Sequence, residues 1–449
     1  MKLKDPKQVV FRHFPEDVRD YGRRQFIKRM AGGAAALTLM PAFGFGETPG
    51  PLSELKKAAL RLSPQDAGDE AYWKVVKEHF LLRKDLIMLN AANLCPTPYP
   101  VQQAVFDLTR DIDKDPSSHN RGQFNQLQEN ARRALAQYLG ADAEEIALVR
   151  NTSEGNNIVI GGLTYQPTDE VIIWDENHPT ANVAWDVRAQ RYGFTVKRVK
   201  VPPAFDNAEQ LIKPFRDAIT RNTKIICFSH LSNLSGIALP AQAICAIARP
   251  RGILTLIDGA QTFGSHVVDL HDIDCDFYTG SSHKWFMGPK EVGVLYVRRE
   301  RQKDLWPAII GVGYPGSLEN GAQKFETLGQ RDDARLAAMN AAVDFHLMIG
   351  KERIEKRIRH LAYALKTKLQ ENVPHIKFHT PLNPEFSGGV VVFHPAGKDL
   401  NQALNTLYQK YNIGCAVFGG DLAGIRMCPH IYNTTEQIDK TVRAVAELA

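Results

Sequence analysis

The sequence is short of several things that would have decided its class at once. Its six cysteines, Cys95, Cys227, Cys245, Cys275, Cys415 and Cys428, stand apart with no C-x-x-C pair. That spacing gives neither a disulfide framework nor a zinc site. The longest mildly apolar run, Met30 to Phe45, is about sixteen residues, broken by glycine and by Pro41, and short of the roughly 20 that span a bilayer. A multi-span membrane protein is thereby excluded. Neither sign of charge dominates: 55 Lys and Arg against 50 Asp and Glu leave +5. Several of the positive charges fall in the first thirty residues, so the remainder is nearly neutral and nothing in it argues for nucleic acid. There is no G-x-x-x-x-G-K-S/T, no C-x-x-C-H and no H-E-x-x-H, so nucleotide, haem and metal chemistry lack a motif. No repeat and no low-complexity tract occurs. What remains is an average mixture, 44% hydrophobic and 23% charged over 449 residues. It suits two or three globular domains and excludes a disordered or collagen-like chain.

The N-terminus reads Gly22-Arg23-Arg24-Gln25-Phe26-Ile27-Lys28 before the apolar run. A twin arginine, an apolar pair, a lysine and an Ala/Gly-rich stretch are similar to a twin-arginine export signal. The expectation is a periplasmic protein with the export machinery as a partner and residues 1–46 as the signal. No good A-x-A cleavage site follows, so an uncleaved anchor stays open. A basic arm on a cytosolic protein is the alternative.

Residues 47–85 read as a polar linker and an amphipathic helix around Asp69 to Phe80. Short apolar runs then alternate with helical patterns. The strand-like runs are Ile146–Val149, Glu170–Trp174, Lys224–Ser229, Ile253–Asp258 and Val292–Val297. Helical periodicity marks Leu127 to Leu139 and Ala241 to Ala248. This predicts an α/β large domain over 86–330, a mostly parallel sheet flanked by helices. After Arg331 come a long helical stretch, Asp333 to Leu369, strands at Gly388–His394 and Ile413–Phe418, and a helix from Thr435. They predict a smaller α+β C-terminal domain over 331–449.

The most informative stretch is Leu254 to Arg298. A buried strand ends in Asp258, followed by Gly259-Ala260-Gln261. Twenty-six residues after Asp258 comes Ser281-Ser282-His283-Lys284, then Gly288-Pro289 and another apolar strand. In open α/β sheets ligands sit beyond the carboxyl ends of the strands, where Asp258 falls. A lysine in a polar loop can form a Schiff base with an aldehyde cofactor when its amine is deprotonated. An acid at a strand end can hold a pyridinium nitrogen protonated, as in enzymes of pyridoxal phosphate (PLP). Singly, Asp258 could be a helix cap and Lys284 a surface charge; together they are harder to dismiss. Arg150-Asn151-Thr152-Ser153-Glu154-Gly155 follows the strand Ile146–Val149 and opens a helix. Free N–H groups, two hydroxyls and the helix dipole there favour an anion, with a plain cap by Thr152 or Ser153 as the alternative.

Asp258-Gly-Ala-Gln261, Ser281-x-His283-Lys284 and Gly288-Pro289 resemble the active site of class V aminotransferases, which are fold-type I PLP-dependent transferases. The resemblance runs from about Leu89 to Asn433. It implies that Lys284 carries the cofactor, that Asp258 pairs with the ring nitrogen, and that Gln261 contacts the phenolic oxygen. Ser281 and His283 would bind phosphate together with Thr152 and Ser153. His178, in Trp174-Asp175-Glu176-Asn177-His178, matches the histidine that stacks on the ring. Asn233, in His230-Leu231-Ser232-Asn233 with Gly236, matches an asparagine near the cofactor's oxygen. Arg426, in Arg426-Met427-Cys428-Pro429-His430-Ile431-Tyr432-Asn433-Thr434, matches the family's carboxylate-binding arginine; guanidinium and carboxylate pair bidentately. Asn90, Asn93 and Pro96 lie where the family's N-terminal segment lines the site, which makes Asn93 a candidate substrate contact. A homodimer is implied as well.

Two departures stand out. The run Phe418 to Ile425 is too short for the desulfurase loop and has no cysteine, so persulfide chemistry is not expected; Cys415 and Cys428 read as inert. In Phe325-Glu326-Thr327-Leu328-Gly329-Gln330-Arg331, Gln330 replaces the threonine that in the family reaches the neighbouring subunit's phosphate. His119 and Arg121, in Asp115 to Arg121, read as a solvated loop. The resemblance is greatest to isopenicillin N epimerase-like proteins and to periplasmic PLP enzymes that tailor the siderophore pyoverdine. The expected function is an exported PLP enzyme acting at Cα of an amino acid, or of an amino-acid residue in a metabolite, by transamination or epimerisation. A C–S lyase without a persulfide cysteine and a non-catalytic PLP-binding protein are the alternatives. No metal is expected.

Overall fold

The computed structural model describes residues 67–311, 321–395 and 397–448. The segment expected to be an export signal and most of the linker lie outside the described residues. The helix Glu70–Lys77 is the first element, its start set by Asp69, whose carboxylate accepts from the N–H groups of Ala71 and Tyr72. A two-residue strand, β1 (Ile87–Met88), follows.

The large sheet is built from β2 (Ile146–Val149), β3 (Glu170–Trp174), β4 (Thr195–Val199), β5 (Thr223–Ser229), β6 (Leu254–Asp258), β7 (Phe277–Ser281) and β8 (Gly293–Val297). Their spatial order is β2-β8-β7-β6-β5-β3-β4. Only β8 runs against its neighbours, pairing antiparallel with both β2 and β7. The other six are mutually parallel, so their carboxyl ends share one edge. Short apolar runs form these strands, β4 and β7 excepted, because both faces of the sheet are covered by helices. Ile173, Cys227, Leu256, Phe277 and Leu295 share one core cluster with Trp185 and Phe194.

The second sheet uses β9 (Lys377–Phe378), β10 (Val391–His394), β12 (Ala416–Phe418) and β13 (Gly424–Met427), all antiparallel. It packs with the helices Lys351–Asn372 and Thr435–Leu448 around Leu365, Val391, Ile425 and Val442. Between them, β11 (Ile413–Gly414) pairs in parallel with β1. This is the expected α/β fold with a smaller antiparallel α+β portion.

Some expectations need correction. The long helical stretch after Arg331 is three helices, Asp333–Ala337, Met339–Ile349 and Lys351–Asn372. Gly350 sits at φ 101°, where no right-handed helix can continue. The strand expected at Ile413–Phe418 is two strands, β11 and β12. The segment read as a loop at Asp115 to Arg121 enters a helix at Ser118, capped by Ser117. His119 and Arg121 therefore stand on its first turn, and Arg121 pairs with Asp333 at 2.8 Å.

Candidate active site

Four of the connections that leave the shared carboxyl edge, those after β2, β3, β6 and β7, each deliver a polar group. After β2, the helix Thr152–Gly162 begins with Asn151 as its cap, not Thr152 or Ser153; the Asn151 side chain accepts from Glu154 N–H at 3.0 Å. That frees the hydroxyl of Thr152, which pairs with Ser281 Oγ at 2.8 Å, while Thr152 N–H donates to the same oxygen at 2.9 Å. Ser281 ends β7, so this pair stitches a helix N-terminus to the strand that leads to Lys284. Ser153 is exposed beside it. The helix approaches the sheet closely: a Cβ at Gly155 would stand 2.8 Å from Thr279 Cγ2.

After β6, Asp258 is 4% exposed. Its Oδ1 accepts from Ala260 N–H at 3.0 Å and its Oδ2 from Asn156 Nδ2 at 2.9 Å. Asn156 is itself fixed, accepting from Thr279 Oγ1 at 2.7 Å. Each carboxylate oxygen keeps a lone pair for a further donor. Asn156 was not singled out in the sequence; its partners lie more than a hundred residues away, and only its place one residue past Gly155 hinted at it.

Between β7 and β8, Lys284 is half-buried and its side-chain amine makes no hydrogen bond or ion pair among the described residues. Burial lowers its pKa, Arg426 adds to the fall, and Asp258 opposes it. Its amine is therefore easier to deprotonate than an ordinary lysine's. Next to it, burial and the Lys284 and Lys290 charges push His283 down to about 4. After β3, His178 caps the helix Pro179–Tyr192, its Nδ1 accepting from Thr180 N–H at 3.3 Å. Burial, then the Lys284 charge, lowers its pKa, so the ring is neutral at pH 7. The charges of Lys284, Asp258 and Arg426 all act on His178, so the four groups lie near one another.

Arg426, on β13, is 5% exposed. Its Nη1 donates to the carbonyl of Asn233 at 3.2 Å and its Nη2 to Asn90 Oδ1 at 3.0 Å. Phe418 lies 4.6 Å beneath its guanidinium carbon. Its Nε is buried with no hydrogen-bond partner among the described residues. A buried, unpaired guanidinium donor is costly unless an anion completes it. Of the two N-terminal asparagines, Asn90 holds the arginine, and Asn93 is exposed in the turn that follows.

Gln261 is placed otherwise than its expected role needs. Gln261 spends its amide on the chain: Nε2 donates to Ala92 O at 3.1 Å and Oε1 accepts from Trp285 Nε1 at 2.7 Å. Gln330 is exposed and bonds Arg331 O at 3.0 Å; it shares a cavity of about 170 Å³ with Arg121, Gln128, Glu326, Arg331 and Asp333, not with Lys284. Cys415 and Cys428 sit where the thiolate is disfavoured. Burial pushes the thiol of Cys415 to about 12 and that of Cys428 upward despite Arg426.

The Thr152–Ser281 pair at a helix N-terminus, a lysine amine with no partner among the described residues, a buried aspartate and a neutral histidine together suit PLP, with the Arg426 Nε left for a substrate. Comparison with known proteins agrees. The model of a family described as aminotransferase class-V matches residues 91–445. The chain is 28% identical to isopenicillin N epimerase of Streptomyces clavuligerus over 393 residues, 84% of this chain and 98% of that one. It is 30% identical to a probable cysteine desulfurase of Halobacterium salinarum over 399 residues, 81% of this chain and 92% of that one. Among solved structures, a lysine variant of C-DES with glycine covalently linked to the PLP cofactor superposes with a TM-score of 0.77 at 23% identity, covering 83% and 99% of the two chains. The cystine C–S lyase C-DES in complex with cysteine persulfide gives 0.75 at 24% identity, covering 82% and 99%.

Proposed function

The chain belongs to the class V aminotransferase family and uses pyridoxal phosphate, and from that premise we propose that it is an exported enzyme acting at Cα of an amino acid or of an amino-acid residue in a metabolite. The observation that carries this reading is the pairing of an unpartnered, easily deprotonated Lys284 with the buried, unpaired Nε of Arg426. When bound, the cofactor supplies an electron sink for negative charge at Cα. Thr152, Ser281 and His283 would hold its phosphate, Asp258 would keep a proton on the ring nitrogen, and the neutral His178 ring would lie against it. Arg426 would orient the substrate's carboxylate. Lys284 would take the Cα proton and could return it from the same side, acting as base and then acid.

Delivery of a proton to the opposite face, by a donor other than Lys284, would be epimerisation, and delivery to an atom other than Cα would be transamination. The relative named as an epimerase supports the first. Persulfide formation is disfavoured here by the shortness of the β12–β13 connection and by thiols pushed far from ionisation. Export is supported by Arg23-Arg24 and the run after it, and tailoring of a siderophore or another secondary metabolite by the resemblance noted in the sequence. A homodimer, with Gln330 reaching a second copy, is supported by that side chain's exposure.

The experiment is a visible absorbance titration of the PLP-loaded protein with a panel of amino acids, each paired with its decarboxylated amine. A lasting shift to the amine form of the cofactor indicates transamination, and solvent-deuterium uptake at Cα with inversion indicates epimerisation. Equal response to amino acids and their decarboxylated amines would remove Arg426 from the reading.

A further inference from the structure

One carboxylate beside the cleft has no part in the chemistry above. Glu176, two residues before His178, receives the hydroxyl hydrogens of Ser232, at 2.8 Å, and of Ser235, both on its Oε2. Both serines are buried. Their hydroxyls are not free to turn elsewhere. Ser232 Oγ already accepts from Leu234 N–H and Ser235 N–H, each at 3.1 Å, and Ser235 Oγ accepts from Ile237 N–H at 3.2 Å. A hydroxyl has one hydrogen to give, and here both hydrogens converge on a single oxygen. The turn therefore closes on Glu176. It carries Asn233, whose carbonyl accepts from Arg426 Nη1 at 3.2 Å. The other side of the same loop is tied to the sheet: Asn177 Nδ2 donates to Cys227 O at 3.1 Å, and its Oδ1 accepts from Ser229 N–H at 2.7 Å. Glu176 thus joins the loop that carries His178 to the turn that steadies Arg426.

We propose that Glu176 is a positioning residue for the substrate's carboxylate, holding the turn at 232–235 so that the Asn233 carbonyl fixes the Arg426 guanidinium. The proposal rests on Arg426 being the carboxylate site. Glu176→Ala leaves two buried hydroxyls without an acceptor, and the turn is free to find other conformations. Glu176→Gln keeps an oxygen that can take both hydrogens, because one oxygen takes both already. A role through charge and a role through acceptor geometry therefore part company.

The test uses the PLP-loaded protein and two nucleophilic probes, aminooxyacetate, which bears a carboxylate, and O-methylhydroxylamine, which does not. The rate at which each abolishes the cofactor's visible band is measured. The wild-type protein should prefer aminooxyacetate. Glu176→Ala should lose about tenfold of that preference, about 1.4 kcal/mol, with the O-methylhydroxylamine rate within about twofold of wild type. Glu176→Gln should retain the preference. Melting of the cofactor-free variants reports folding. Should Glu176→Ala fail to fold, Ser235→Ala, which removes one of the two bonds, should show a smaller loss of the same sign. An unchanged preference in the folded Ala variant, or in Ser235→Ala where that variant decides, overturns the proposal. So does a Gln variant that behaves as Ala. A wild-type protein with no preference would overturn the Arg426 reading first, and the proposal with it.

Discussion

Gly155→Ala tests how the phosphate cradle is built. The new Cβ would meet Thr279 Cγ2 at 2.8 Å, against the 3.5–4.0 Å of an ordinary carbon contact. Thr279 is wholly buried on β7 and its hydroxyl is held by Asn156 at 2.7 Å, so the helix must give way instead. Overpacking of this kind costs about 1–3 kcal/mol, and the helical preference of Ala over Gly returns about 1 kcal/mol. A net loss of about 1 kcal/mol is expected in urea unfolding of the cofactor-free protein. The larger effect is on function. Moving the helix start pulls Thr152 from Ser281, and one weakened charge-assisted hydrogen bond of about 1.5 kcal/mol lowers PLP affinity roughly tenfold. Thr279→Ser deletes the offending methyl and keeps the hydroxyl. The double variant should therefore bind PLP better than Gly155→Ala alone. A Gly155→Ala protein with wild-type stability and affinity, or a double variant with no recovery, would refute this account of the cradle.

Three further outcomes follow from the same contacts. Asn156→Ala strips Asp258 of one partner and Thr279 of another, which should cost about 2–3 kcal/mol in denaturant unfolding; a loss under about 0.5 kcal/mol would show that these bonds are not held in solution. Phe418→Ala removes the ring under Arg426, a contact of about 0.5–2 kcal/mol, and should weaken binding of carboxylate-bearing amines roughly 2- to 30-fold while sparing amines without a carboxylate. His430 and His346 are buried and neutral, with pKa values lowered from 6.5 to about 3 and about 4. Only the unfolded chain takes up their protons between pH 6.5 and about 4, so stability present at pH 7 is lost as pH falls through that window. The loss is about 2 kcal/mol per histidine at pH 5, and unfolding midpoints that stay flat from pH 7 to pH 5 would contradict it.

Lys284 and Asp258 were legible in the sequence because each sits in a short run whose chemistry is local, a polar loop and a strand end, whereas Arg426 was legible only through the family resemblance of the run that holds it. Asn156, Asn90 and Glu176 were not legible as supports. Each acts across a long separation, Asn156 on Asp258, Asn90 on Arg426, Glu176 on Ser232, and only the closed sheet edge brings them together. The cap at Asn151 was misplaced onto its neighbours because Thr, Ser and Asn are all good caps; Ser281 decides between them by engaging Thr152. Strand β4 was missed because Thr195-Val196-Lys197-Arg198-Val199 is a polar edge strand without a core run, and β7 because Gly280 interrupts its apolar pattern. Gly350 was a visible stop signal in the long helical stretch. The amide of Gln261 is a different case: its motif was plain, but no local pattern foretold that Trp285 and Ala92 would occupy both its ends.

The central claim is that Lys284 is the residue that binds the cofactor. Borohydride reduction of the PLP-loaded protein, followed by proteolysis and mass spectrometry, tests it directly. The account predicts one stoichiometric phosphopyridoxyl adduct on the peptide bearing His283-Lys284-Trp285, lost in Lys284→Ala. An adduct on another lysine, or no visible cofactor band to reduce, would contradict it.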